Sequence, residues 1–180
     1  MKKIYFMLSI LLFIACETKK TQPTGTITNT QAIETTEEDP FIQLNAHALS
    51  LENEEIDLYI QHHEWTMIKT GTGLRYMLLR EGDGAKPIEG NSVTLRFKTF
   101  LLTGEEIDNS EKSGDIHFVV NKSEAIPALH EAVQLMPYGS KARLIIPSHL
   151  AYGVSGDGQK IGIAQCLRME IELLSPANIP

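Results

Sequence analysis

The sequence predicts an α+β fold: an antiparallel sheet of about five strands wrapped around one short helix and preceded by an N-terminal helix. Three observations carry that expectation. The apolar period changes from helical to two at Leu74. Runs of alternating residues, separated by turn chemistry, follow from there to Leu174. Only one late segment, opening at Pro127, interrupts them with helical spacing.

Before the sheet come three segments. Lys2 and Lys3 precede a low-polarity run from Ile4 to Ala15, and the small Ala15 stands directly before Cys16. A basic tip, an apolar stretch and a small residue at the cut describe a secretory signal over residues 1–15. The run is shorter than the roughly 20 residues that a membrane-crossing helix needs. Leu12-Phe13-Ile14-Ala15-Cys16 resembles the lipobox of bacterial lipoproteins, with Phe13 an unusual first residue. The resemblance implies that Cys16 is acylated and becomes the first residue of an exported, lipid-anchored protein, located in the cell envelope at the outer membrane and facing the periplasm. Residues 17–40 are rich in Thr, Glu and Asn, with Ile27 and Ile33 as their large apolar side chains, which predicts a disordered tether over residues 16–45. A helical segment is expected within residues 46–72, capped by Ser50, with Glu52, Glu54 and Glu55 in its first turn. Ile56, Tyr59, Ile60 and His63 share one face, and Thr70-Gly71-Thr72-Gly73 ends the pattern.

The domain proper is expected over residues 73–176. Leu74, Tyr76 and Leu78 alternate with Arg75, Met77 and Leu79, and Glu81-Gly82-Asp83-Gly84 closes that strand. Val93, Leu95, Phe97, Thr99 and Leu101 form one side of a longer strand, and Ile116 to Val120 a short one. Pro127 suits a first helical position, and Leu129, Ala132, Val133 and Met136 give its helix an apolar stripe. Ala142, Leu144 and Ile146 begin another strand, and a glycine-rich flap runs from Gly153 to Gly162. In the last strand Leu167, Met169, Ile171 and Leu173 face inward, while Arg168, Glu170 and Glu172 face outward with Cys166.

Composition narrows the function. The chain of 180 residues carries a formal charge of -7, and removing the two lysines of residues 1–15 takes it to about -9. That balance excludes nucleic acid as a partner, since phosphates are bound by clustered Lys and Arg. It also excludes electrostatic adhesion to anionic lipid, so a membrane anchor must be covalent. Once Cys16 carries lipid, Cys166 is the remaining thiol, and neither a disulfide nor a Cys/His zinc pattern can form. The adjacent His62 and His63 lack the i, i+4 spacing of a zinc pair. No metal and no cofactor is expected.

Several stretches, in order, resemble the FKBP-type peptidyl-prolyl cis-trans isomerases from about Gly73 to Leu174. Thr103-Gly104-Glu105-Glu106-Ile107-Asp108-Asn109-Ser110 is similar to the family's Gly-x-x-Phe-Asp-x-Ser segment, and Glu124-Ala125-Ile126 to its Glu-Val-Ile. Gly139 to Pro147, followed by Leu150-Ala151-Tyr152-Gly153, resembles its strand and Ala-Tyr-Gly turn, and Met169 to Leu174 its closing strand. The tether, the preceding helix and Lys160-Ile161-Gly162 resemble lipoprotein members from Bacteroidetes, some associated with gliding motility.

The resemblance implies an FKBP-like sheet and a peptidyl-prolyl cis-trans isomerase that acts on proline-containing polypeptides and assists the folding of exported proteins. Asp108 would stand at the pocket rim, Tyr152 would offer its hydroxyl to a ligand carbonyl, and the Ile126 N–H would donate to another. Ala125 would border the substrate. Phe97, Ile107, Ile116, Phe118, Leu129, Ile161 and Met169 would line an apolar cup. Phe97 replaces a usual tyrosine, Leu129 a tryptophan, and Ile107, Ile116 and Met169 each a phenylalanine, while Asp157 falls at a common loop histidine. The thinner aromatic wall implies weaker stacking on proline and weaker binding of macrolide inhibitors. It also leaves open a non-catalytic module that holds proline peptides or envelope components. Read without their neighbours, Asp108 is equally a turn residue and Tyr152 equally a core aromatic.

Overall fold

The computed structural model describes residues 40–175; the signal segment, Cys16 and the tether up to residue 39 lie outside the described residues. Helix α1 spans Pro40–His62. It therefore begins well before Ser50, and residues 40–45, assigned above to the tether, are helical. Pro40 is preorganised for a first helical turn, and Leu44, Ala46, Ala48 and Leu49 are strong helix formers that a face-by-face reading underweights. Ser50 lies inside the helix and caps nothing.

One sheet follows, built from β1 (Ile68–Lys69), β2 (Arg75–Arg80), β3 (Ser92–Leu101), β4 (Glu106–Asn109), β5 (Ile116–Val119), β6 (Lys141–Ile146) and β7 (Leu167–Leu173). Its order is β1-β2-β6-β7-β3-β4, with β5 also paired to β3, and every pairing is antiparallel. The two strands beyond the five expected are β1, with two residues, and β4, with four residues that an irregularity takes out of strict alternation. Gly82 closes the β2 turn because a Cβ there would run into the Tyr138 carbonyl, while its N–H donates to Ser140 Oγ at 2.9 Å.

Helix α3 (Pro127–Leu135) lies against the inner face with Pro127 at its start and Ala128, Leu129, Ala132 and Val133 buried. Val93, Leu95, Phe97, Leu144, Ile146, Leu167, Met169, Ile171 and Leu173 meet it from the strands, so the alternation of β3 and β7 sets the core.

The outer face is not left to water. Ile56 of α1, Ile145 and Cys166 form a second buried cluster, with Tyr59, Ile60, Trp65, Met67 and Leu102 packed around it. This layer buries two residues of the outer face. Arg75 is only 1% exposed, donating to Asp57 Oδ1 and to the Gly73 carbonyl, each at 2.7 Å. Cys166 is buried beneath α1 and donates to Glu52 Oε1 at 3.1 Å. Period two separates the two faces of a strand correctly, but it does not report that a helix covers the second one.

Candidate active site

Between the inner face of the sheet and the start of α3 lies a hollow of about 370 Å³. Strand β3 contributes Phe97 and Thr99, β7 contributes Met169, and β5 contributes Ile116. Ala125, Ile126 and Leu129 border it at the start of α3, and Tyr152, Asp157 and Ile161 come from the loop after β6. Antiparallel register explains the placement. Met169 pairs with Thr99, and Thr99 pairs with Asp108, so all three side chains leave the sheet on one side. An irregularity between Thr99 and Phe100 then leaves Ile107 as the extra residue of β4. Through this bulge Ile107 and Asp108 both border the hollow, where regular neighbours would point oppositely.

The hollow thus brings together Asp108, Tyr152, Phe97, Ile107, Ile116, Ala125, Ile126, Leu129, Ile161 and Met169. Phe118 is the exception. It shares a face with Ile116 but sits two residues, about 7 Å, further along β5. There it pairs with Val93 and meets the His130 ring edge-on at 5.0 Å between centroids. Phe118 belongs to the core, not to the wall.

The polar rim is held from several sides. Asp108 Oδ1 accepts from the Asn109 N–H at 2.8 Å and from Ser113 Oγ at 2.6 Å. Ser113 is placed by the short helix α2 (Ser110–Ser113), whose N-cap Asn109 accepts from the Lys112 N–H at 3.0 Å. Across the opening, Tyr152 is 41% exposed, and no group among the described residues hydrogen-bonds its hydroxyl. Partial burial and the negative charges of Asp157 and Asp108 raise its phenol above the ordinary tyrosine value. The hydroxyl is therefore a durable donor. Ile126 opens α3 as its N-cap, so its own N–H precedes the helical ladder.

The segment from Gly153 to Gly162, read as a flap, is cross-braced. Asp157 Oδ1 accepts from the N–H groups of Gln159 and Ile161, each at 2.8 Å. Desolvation alone would raise the Asp157 carboxyl, but these backbone donors outweigh it and leave the value lowered. Ala164 N–H donates to the Gly153 carbonyl at 2.9 Å. Lys160 Nζ reaches the Ile107 carbonyl at 2.9 Å and ties the loop to β4.

Sequence reasoning did not find Ser113, Thr99, Asp115, Glu124 or Lys160 at this site. A four-residue helix has no readable period, and Lys160 meets Ile107 only through the fold. The charged side chains lining the hollow are Asp108, Asp115, Glu124 and Asp157, and no Lys or Arg lines it. Among the described residues, no group of three His, Cys, Asp or Glu side chains could hold a metal ion. The site offers desolvation, a carboxylate and a phenolic donor.

Comparison with known proteins bears on what such a site belongs to. A family model described as FKBP-type peptidyl-prolyl cis-trans isomerase matches residues 84–174. The chain is 38% identical over 104 residues to the outer membrane protein MIP of Legionella longbeachae, covering 58% of this chain and 44% of that protein. It is 39% identical over 106 residues to the FKBP-type 22 kDa peptidyl-prolyl cis-trans isomerase of Escherichia coli, covering 58% and 50%. The chain thus spans about half the length, or less, of these curated relatives. Among solved structures, that of FkpA from Escherichia coli superposes with a TM-score of 0.61 at 27% identity, covering 75% of this chain and 63% of that one. Every residue lining the hollow lies inside the matched stretch, and the chain belongs to the FKBP-type peptidyl-prolyl cis-trans isomerase family.

Proposed function

We propose that this protein is a peptidyl-prolyl cis-trans isomerase of the cell envelope, acting on proline-containing segments of exported polypeptides and tethered through a lipid on Cys16. The observation that carries the reading is that Tyr152 and Asp108 border one hollow of about 370 Å³ whose wall is largely apolar. The planar prolyl amide is held by resonance behind a barrier of about 18–20 kcal/mol. It is more dipolar than the twisted form, so water favours the ground state. Phe97, Ile107, Ile116, Leu129, Ile161 and Met169 exclude that water, while the Tyr152 hydroxyl and the Ile126 N–H hold the flanking carbonyls. A gain of roughly a thousandfold to ten-thousandfold needs only about 4–5.5 kcal/mol, within reach of desolvation and orientation. The lipobox-like segment before Cys16 supports the anchor, and the kinship to a protein named for the outer membrane supports the envelope.

A second reading, a module that holds proline peptides without catalysis, is favoured by the composition of the wall, whose aromatic members are Phe97 and Tyr152. A protease-coupled assay on a short Xaa-Pro peptide separates the two. Acceleration above background at micromolar protein supports the isomerase. Binding without acceleration, unchanged in Asp108→Ala, selects the module.

A further inference from the structure

Tyr152 is carried by a turn whose brace comes from outside the matched family region. The turn Ser148–Leu150 follows Pro147, and no side chain caps it at that position. Its first N–H is taken instead by Glu52 of α1, whose Oε1 accepts from Ser148 at 2.8 Å across a separation of 96 residues. The same oxygen accepts from Cys166 Sγ at 3.1 Å. The carbonyl of Ser148 in turn accepts from the N–H groups of Ala151 and Gly153, at 2.9 and 2.8 Å. Those are the residues immediately before and after Tyr152. Ser148 is thus gripped at its N–H by α1 and at its carbonyl by both neighbours of the phenol. A second strut joins His149 Nε2 to the Thr72 carbonyl at 3.0 Å.

We propose that Glu52 is a positioning residue for Tyr152, so that α1, lying outside the residues that the family model matches, tunes how tightly the hollow holds its ligand. The inference rests on the reading of Tyr152 as donor to a ligand carbonyl. A carboxylate accepting from a turn N–H and a thiol locks the start of the turn, and the Ser148 carbonyl passes that register to the phenol.

The test is a double-mutant cycle on the full chain, with binding of a short Ala-Leu-Pro-Phe peptide followed by calorimetry and folding checked by thermal melting. Glu52→Met keeps the side-chain length and removes the acceptor. It should weaken binding about three- to fivefold, as Tyr152→Phe does, with kcat little changed. In the Tyr152→Phe background the same substitution should change affinity less than about twofold. Unaltered affinity in Glu52→Met, or an equal loss in both backgrounds, overturns the proposal. If Glu52→Met does not fold, Glu52→Gln, a weaker acceptor, is carried through the same cycle with a smaller expected effect and the same criterion. A wild-type chain that binds no proline peptide removes the proposed function itself. A Tyr152→Phe variant that binds like wild type removes the donor role on which this inference rests.

Discussion

Ser113 donates its hydroxyl to Asp108 Oδ1 at 2.6 Å, so the rim carboxylate is aimed by a helix too short to be read from its sequence. The Asn109 N–H completes the clamp on the same oxygen at 2.8 Å. Asp108→Asn keeps the shape and removes the charge, and it is expected to lower kcat/KM by about tenfold, near 1.4 kcal/mol. Ser113→Ala removes one exposed bond and should cost about 0.5–1.5 kcal/mol of the same quantity. Steady-state isomerisation checks both. Unchanged rates in both variants would mean that desolvation alone does the work.

The loop that carries Ile161 depends on Gly156, whose φ is +66° and whose added Cβ would strike the Ile161 carbonyl. Gly156→Ala is expected to destabilise the chain by about 1–3 kcal/mol and to weaken peptide binding as Ile161 and Asp157 shift. Urea unfolding and a binding titration, compared with Gly158→Ala, which meets open space, separate collision from left-handed strain alone.

Stability should fall in acid through Glu52. Desolvation raises its carboxyl, but the hydrogen bonds from Ser148 and Cys166 and the charge of His149 win, leaving it below 4.5 in the folded chain. A lowered folded value means stability that is fully present above 4.5 and lost as pH falls through the folded value. Urea midpoints between pH 7 and pH 3 should therefore drop more steeply in wild type than in Glu52→Gln. Parallel curves would show that the cap contributes nothing.

Charge at the rim predicts a substrate preference. Asp108, Asp115, Glu124 and Asp157 border the hollow; the nearby cations Arg96, Lys112 and Lys160 are engaged with Asp115 at 3.9 Å, with Glu106 at 2.9 Å and with the Ile107 carbonyl at 2.9 Å. Peptides with Lys beside proline should bind about three- to tenfold tighter than those with Glu at low salt. The difference should shrink near 1 M salt, where the screening length is about 3 Å. Equal affinities at low salt would contradict it.

Cys166 should be inert. Burial raises its thiol, and the neighbouring carboxylates of Glu52 and Glu55 raise it further, so little thiolate forms near neutrality. Peptide mapping after iodoacetamide treatment should find Cys166 modified only once the chain is unfolded.

Much of the architecture was legible along the chain. The alternation in β3 and β7, the Pro127 start of α3 and the Gly82 turn are local properties, written in adjacent residues. Ten of the eleven pocket residues named from the resemblance meet at one hollow; strand parity accounts for Phe97, Ile116 and Met169, and the others reach it from the start of α3, the loop after β6 and the β4 bulge. Phe118 failed because parity gives a side, not a depth. Arg75 and Cys166 do lie on the outer face, but their burial was not legible, because that face is covered by α1, whose docking depends on Ile56, Asp57 and Glu52 finding partners far away in the chain.

What the sequence determined by itself is the order of the longer elements and the apolar side chains that face inward, which follow from side-chain chemistry at short range; the carboxylate and phenol beside the hollow, Asp108 and Tyr152, came from the resemblance to the family. What only the tertiary structure decided is the aim of those groups: the bulge that turns Ile107 and Asp108 to one side, the Ser113 and Lys160 ties, and the Glu52 cap on the Tyr152 turn. Each depends on a contact between segments that no local period links, and hydrogen bonds of 2.6 to 2.9 Å exist only once the packed core has brought those segments together.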